Sequence, residues 1–504
     1  MAKLGWHSAT QEFPHPFIHQ VKLTCAQRTR GAILGVILVP LRLAMAALCF
    51  LLMWPLARLR LAGLSEEDRA RPVEGWRRWL LHPVMKLLSR SVFFFLGFLW
   101  VEVKGRRADL KEAPVLVVAP HSTYLDMVVL VPTELPTVVS RSENTGLPII
   151  GALLEFNQSV MVSRTDPESR KKAVAQVTER LTSDGYWPQM LMFPEGTTTN
   201  GRALIKFKPG AFLAGLPIQP VLLRYPNKLD TVRWTHEGTS WKEALWHTAS
   251  QLYTNVTVEF LPVYTPSQEE KDDPGLYADN VQKLMAMALG LPSTDYEMAG
   301  RVPVNKLGGL SIPLESPARK TLALLRGDGP GVEAALDRMI ARCRSGAQGS
   351  KVSAEELTFV LGLTDEEAVL AVRHIYSKDE LVDLRPIYLT VGALSGRLSF
   401  ESLLHTAFTL FDAEGRGSLG AEQLGALMAA LLDFPQRHTA ALHAEAAAHG
   451  RLTEESLLRV LTTHPTYQSV ANEYLRAEEA GSRPANGKPG NNNGSVSRDN
   501  KKFE

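Results

Sequence analysis

The sequence predicts an α/β fold, a mostly parallel sheet with flanking helices, preceded by a membrane segment and followed by a helical module. Three observations carry this. From about Val101 to Gly290, short β-rich runs alternate with helix-forming stretches, the pattern of parallel strands joined by helical crossovers. From Gly31 to Trp54 the chain reads GAILGVILVPLRLAMAALCFLLMW, 24 residues interrupted only by Pro40 and Arg42, and a bilayer needs about 20. Beyond residue 310 the pattern is mostly helical. The expected organisation is a polar segment 1–30, a membrane-embedded and interfacial region 31–100, the α/β domain 101–290, a linker 291–310, a helical module 311–476 and a disordered tail 477–504. The tail is poor in apolar residues and rich in Gly, Asn and Pro.

Taken in order, the apolar run comes too late and is too long for a signal peptide. Arg42 near its centre is costly in lipid. Two arrangements therefore stay open: a single span, or a re-entrant hairpin bent at Pro40. A second apolar stretch, Ser91 to Val101, is too short to span and suits the interface. Trp76, Trp79 and Trp100 fit the headgroup level. The basic residues between the two stretches, Arg69, Arg71, Arg77, Arg78, Lys86 and Arg90, suit anionic headgroups or a solvated helix face equally.

The strands expected next are Val115 to Ala119, Thr137 to Ser140, Val160 to Ser163, Gln189 to Phe193, Ile218 to Arg224 and Val256 to Val263. The clearest helix is DPESRKKAVAQVTERLTS, with Asp166 as N-cap and Pro167 in the first turn. Further on, Thr364 and Glu367 form a capping-box pattern.

The charge balance, 55 basic against 53 acidic residues in 504, leaves +2 and excludes a global nucleic-acid signature. Three scattered cysteines, Cys25, Cys49 and Cys343, are too few for a disulfide framework or a zinc site.

The α/β domain is organised around VLVVAPHSTYLD, Val115 to Asp126. A buried strand would end at Pro120, and Ser122 and Thr123 would cap a helix through Leu125 to Val131. On a regular helix, His121 and Asp126 would diverge by about 140°. Across a strand-to-helix turn the carboxylate can reach the imidazole, fix its tautomer and raise its basicity. An isolated pair at this spacing is common by chance, so its weight comes from three later stretches: VVSRSEN with Arg141, MFPEGTTTN with Glu195, Gly196 and Thr197, and PIQPVLLRY. Each lies beside an expected strand, and strand ends of an open α/β sheet share a ligand crevice.

These four ordered motifs resemble the NHxxxxD, FPEG and Pro-containing blocks of the glycerolipid acyltransferase superfamily. The wider wording over residues 100 to 300 is similar to its lysophosphatidylcholine acyltransferase branch. The sequence departs from the pattern at Pro120, where many members have asparagine, and at Thr198, where a cysteine is usual. The resemblance implies His121 as general base on the free hydroxyl of a lysophospholipid, Asp126 orienting it, and Glu195, Gly196 and Thr197 at the substrate; Arg141 suits a substrate phosphate or a surface salt bridge equally. Glu195 holding a nearby arginine is the structural alternative. Lys206 and Lys208 would steer CoA phosphates or form a solvated basic edge.

The stretch FTLFDAEGRGSLGAEQL resembles an EF-hand, with Asp412, Glu414 and Gly417 at loop positions 1, 3 and 6. Arg416 stands at position 5 and Gln423 at position 12, where calcium needs a bidentate carboxylate. Asp412 and Glu414 are therefore weak calcium candidates, and no cofactor is expected to be required. The earlier stretch SKDELVDLRPIYLTV lacks a full ligand set. KKFE at the end matches a dilysine retrieval signal, read in the cytosol.

The expected function is a membrane enzyme moving an acyl group from acyl-CoA, its co-substrate, to lysophosphatidylcholine in phospholipid remodelling. The expected place is the endoplasmic reticulum membrane, with Golgi or lipid droplet as alternatives; the partners are membrane lipids, not nucleic acid. Rivals are the same chemistry on lysophosphatidylethanolamine, lysophosphatidic acid or an alkyl lyso-lipid with acetyl-CoA, or a membrane-anchored interaction protein.

Overall fold

The computed structural model describes residues 15–163, 166–327, 331–345, 350–376, 381–396, 398–412, 414–448 and 450–473. The expected tail 477–504 and its dilysine end lie outside them. The chain divides into two units, Met1–Asn305 and Lys306–Glu504.

The first unit begins with helix α1, Cys25–Leu61, 37 residues long. Thr24 and Gln27 close a capping box at its start. The helix runs unbroken through Pro40 and Pro55, so the hairpin expected as one alternative at Pro40 does not form. Each proline removes one internal hydrogen bond; packing along the helix offsets the loss. Helix α1 packs on α2 (Leu81–Phe95), α3 (Pro148–Phe156) and, further along the chain, the helix Trp241–Ala249. The costly Arg42 is satisfied within the protein: it donates to the carbonyls of Ala249 (2.9 Å), Gln251 (2.6 Å) and Leu252 (2.7 Å). These are carbonyls at and just past a helix C-terminus, where a cation is favoured. On the opposite face Ile33, Val36, Ile37, Leu41 and Leu51 are each at least 60% exposed. Trp76, Trp79 and Trp100 are exposed as well.

Seven strands form the central sheet: β1 Val101–Lys104, β2 Val115–Ala119, β3 Thr137–Arg141, β4 Val160–Val162, β5 Met190–Met192, β6 Ile218–Arg224 and β7 Val256–Phe260. Their order is β1-β7-β6-β2-β5-β3-β4. All neighbours are parallel except β6 and β7, which is the mostly parallel sheet that the sequence predicts. Strand β2 lies at the centre with all five residues buried, hence its continuous apolar run. Its alternate residues serve two cores. Val115, Val117 and Ala119 face α4 (Pro167–Leu181) and α6 (Pro274–Leu289), whereas Leu116 and Val118 join a second cluster with Val129, Leu191, Val221 and Val258. Helix α4 starts as expected, with Asp166 accepting the Glu168 N–H at 2.9 Å. Helix α5 is the Trp241–Ala249 segment that meets α1.

Several local expectations need correction. The helix after Ser122 is a 3-10 helix, Tyr124–Leu130. Its tighter winding lets Asp126 fold back onto the turn that precedes it. Strand β1 is missed by the sequence reading because Val101–Lys104 continues a run read as interfacial. Strand β7 ends at Phe260 rather than Val263. The expected linker 291–310 carries two antiparallel strands, Tyr296–Ala299 and Val302–Leu307.

The second unit is mostly helical, around a core that includes Leu357, Leu389, Leu404, Leu427 and Leu461. Its helix Glu366–Ile375 is capped by Asp365, one residue past the expected Thr364, and that carboxylate accepts the Ala368 N–H at 2.8 Å. The loop after Phe400–Phe411 is closed by its own bonds. Asp412 accepts the N–H groups of Arg416 (3.0 Å) and Gly417 (2.7 Å), and Glu414 pairs with Arg416. Gln423 accepts the Gly420 N–H at 2.8 Å. Gln423 offers no bidentate carboxylate at position 12, and the Arg416 guanidinium pairs with Glu414, so the loop presents an unfavourable side-chain set for calcium. Among the described residues, no group of three or more His, Cys, Asp or Glu is placed to hold a metal.

Candidate active site

Strand β2 ends at Ala119, and the turn that follows presents His121 while the 3-10 helix returns Asp126 beneath it. His121 Nδ1 lies 2.8 Å from Asp126 Oδ2. That oxygen also accepts the N–H groups of Ser122 (2.6 Å) and Thr123 (3.0 Å), and Oδ1 accepts the Tyr225 hydroxyl at 2.5 Å. Asp126 is fully buried and surrounded by donors, so it stands as an acceptor-only carboxylate. Nδ1 must then carry the proton, which leaves the Nε2 lone pair available. Among the described residues none bonds to Nε2, and the His121 side chain is 18% exposed. Phe193 stacks on the imidazole, ring centroids 4.3 Å apart. The pair thus has a fixed ring, a fixed tautomer and an accessible basic nitrogen.

Glu195 lies behind the His121 turn. It is fully buried, and its Oε1 accepts the His121 N–H at 2.7 Å. Among the described residues it holds no arginine; the Thr199 hydroxyl (3.4 Å) and the Ile205 backbone also contact it. Burial, with Asp126 nearby, pushes its carboxyl up to about 8. Glu195 therefore braces the His121 turn from behind. A second strut runs the same way, from the Thr199 N–H to the His121 carbonyl at 2.8 Å.

Gly196 adopts a left-handed conformation (φ 64°), and a Cβ there would lie 3.2 Å from the Lys208 side chain, so a side chain is disfavoured on both counts. Thr197 follows it, half-buried. Arg141 ends β3, exposed and with no carboxylate partner among the described residues. Strands β3 and β5 are parallel neighbours, Val138 opposite Leu191. Arg141 and the Phe193–Thr197 turn therefore leave the sheet at the same end as His121. Lys206 is not free for CoA phosphates; it pairs with Asp279 (3.0 Å) and Asp295 (3.3 Å). Lys208 lies 3.8 Å from Glu297.

Sequence reasoning misses two contributors to the pair and one buried segment. Tyr225 and Phe193 touch the pair from distant motifs. The segment is that around Phe17, which is fully buried. Asn200 holds it by donating to the carbonyls of His15 (2.9 Å) and Ile18 (3.1 Å). Phe193 lies within a quoted motif, but nothing in its spacing signals stacking.

This sheet, with a histidine–aspartate pair at the strand ends, is an acyltransferase domain: residues 101–224 match the family model described as Acyltransferase. The likeness to named proteins runs much further. The chain is 44% identical over 479 residues to "Lysophospholipid acyltransferase LPCAT4" of Xenopus tropicalis, covering 93% of this chain and 91% of that one. It is 44% identical over 479 residues to the Homo sapiens protein of the same name (92% and 89%). To "Lysophosphatidylcholine acyltransferase 2" of Homo sapiens it is 39% identical over 467 residues (92% and 85%). The chain belongs to the lysophospholipid acyltransferase family. Among solved structures, the 1-acyl-sn-glycerophosphate acyltransferase PlsC of Thermotoga maritima is 16% identical with a TM-score of 0.36, covering 52% of this chain and 98% of that one.

Proposed function

We propose that this chain moves an acyl group from acyl-CoA to the free hydroxyl of a lysophospholipid, with lysophosphatidylcholine as the acceptor. His121 is the general base and Asp126 its orienting partner. The observation that carries the reading is the Nδ1–Asp126 bond of 2.8 Å, which leaves Nε2 available, in a chain of this family.

The acceptor hydroxyl gives its proton to Nε2 as its oxygen attacks the thioester carbon. The tetrahedral intermediate then expels the CoA sulfur, and the imidazolium returns the proton to it. The products are the diacyl lipid and free CoA thiol. Asp126 stabilises the imidazolium while it exists. No acyl-enzyme is needed, because the thioester is already activated. Arg141, on the same end of the sheet, suits a lipid phosphate, since a guanidinium binds phosphate bidentately. Gly196 and Thr197 line the turn where backbone approaches substrate. Glu195 acts only through the loop that it braces. Calcium has no part in these steps.

The exposed apolar face of α1 supports a lipid surface as the working environment, and the endoplasmic reticulum membrane is the compartment that we propose. An acceptor panel tests the substrate. With one long-chain acyl-CoA, lysophosphatidylcholine should give the highest kcat/KM, above lysophosphatidylethanolamine, lysophosphatidic acid and an alkyl lyso-lipid. A higher value for any of these would replace the acceptor and keep the chemistry.

A further inference from the structure

We infer that Tyr225 is a positioning residue for acyl transfer: its phenol holds the second oxygen of Asp126 and so sets how that carboxylate grips the His121 ring. This rests on the reading of His121 as the base. The geometry divides Asp126 in two. Oδ2 serves His121 Nδ1 (2.8 Å) and the N–H groups of Ser122 (2.6 Å) and Thr123 (3.0 Å). Oδ1 is held by the Tyr225 hydroxyl at 2.5 Å. A carboxylate turns about its Cβ–Cγ bond, and a donor at Oδ1 stops that rotation. It also draws charge from the oxygen that faces the imidazole.

The phenol is itself well fixed. Tyr225 follows directly on β6, whose last residue Arg224 donates to the carbonyls of Ala288 (2.6 Å) and Leu289 (3.3 Å). Its ring meets Phe98 edge-on, centroids 6.4 Å apart, and Phe98 is fully buried. The charged and titratable groups around the pair are Asp126, Glu195, His121 and Arg233. Burial and Asp126 raise the phenol well above its ordinary value, so it remains a donor across any assay range.

A tyrosine that only fills the core would affect stability and nothing else. A positioning tyrosine affects the rate and its pH dependence. Without the donor, Asp126 keeps more charge toward His121 and the imidazolium is favoured. The acid limb of the rate profile then moves to higher pH. The test uses the full chain in membranes, with acyl-CoA and lysophosphatidylcholine. Tyr225→Phe should lower kcat about tenfold, the scale of one charge-assisted hydrogen bond. Both KM values should stay within about twofold, and the acid limb should rise. If Tyr225→Phe does not fold, Tyr225→3-fluorotyrosine keeps the volume and strengthens the donor, and the limb should move to lower pH. An unmoved limb and unchanged kcat in the folded variant, with His121→Ala inactive, would overturn the role of Tyr225 and leave the base intact. Activity retained in His121→Ala would overturn the base, and Tyr225 with it.

Discussion

Glu195 illustrates what burial does to a single side chain. An exposed glutamate titrates near 4.3, whereas burial pushes this one up to about 8. Between those values the folded chain holds a proton that the unfolded chain has released. Stability must therefore fall as pH rises through that window. Glu195→Gln imitates the protonated form and cannot titrate. The unfolding midpoint of the wild type should drop relative to Glu195→Gln between pH 5 and pH 8; parallel curves would contradict the assignment. The pair beside it shows what a sequence can disclose. His121 and Asp126 are legible because five positions separate them, and one turn of backbone decides whether they meet. Tyr225 and Glu195 are not legible as its supports, because each reaches the pair across the sheet, 99 and 74 positions away.

Helix α1 carries the same lesson at the scale of an element. Its length and apolarity are plain in the sequence, but composition cannot say which side is covered. Docking answers that. Gly35 lies against Trp246, Arg42 binds three carbonyls at and just past the end of α5, Arg58 pairs with Glu155 at 2.7 Å, and Arg60 lies over Phe156 at 4.2 Å. These contacts span most of a helix roughly 55 Å long, all on one unit. The helix is long and apolar enough to cross a bilayer; the docking instead predicts that it lies along the bilayer surface with its apolar face inward, and labelling decides between the two. Both ends should then be on the side of the catalytic unit. In sealed vesicles, an impermeant maleimide should label the exposed Cys25 and a cysteine placed by Ala62→Cys from the same side. Labelling from opposite sides would restore the clean span.

In the whole molecule, chemistry and its supports belong to one unit. His121, Asp126, Phe193, Glu195 and Tyr225 all lie within Met1–Asn305. The sheet was legible because strands β2 to β6 are short, apolar and separated by helix signals. The hairpin within 291–310 was not, since two short half-buried strands, Tyr296–Ala299 and Val302–Leu307, look like a polar connection. In the second unit, the stretch that resembles an EF-hand has Arg416 paired with Glu414 and Gln423 in place of the bidentate carboxylate. We propose that His121 performs the transfer without help from calcium. The direct measurement is acyl transfer from acyl-CoA to lysophosphatidylcholine in membranes, wild type against His121→Ala, each with and without a calcium chelator. Loss of roughly 10²–10⁴-fold in the mutant, with the chelator changing nothing, is the expected result. Equal activity of mutant and wild type would mean that His121 is structural.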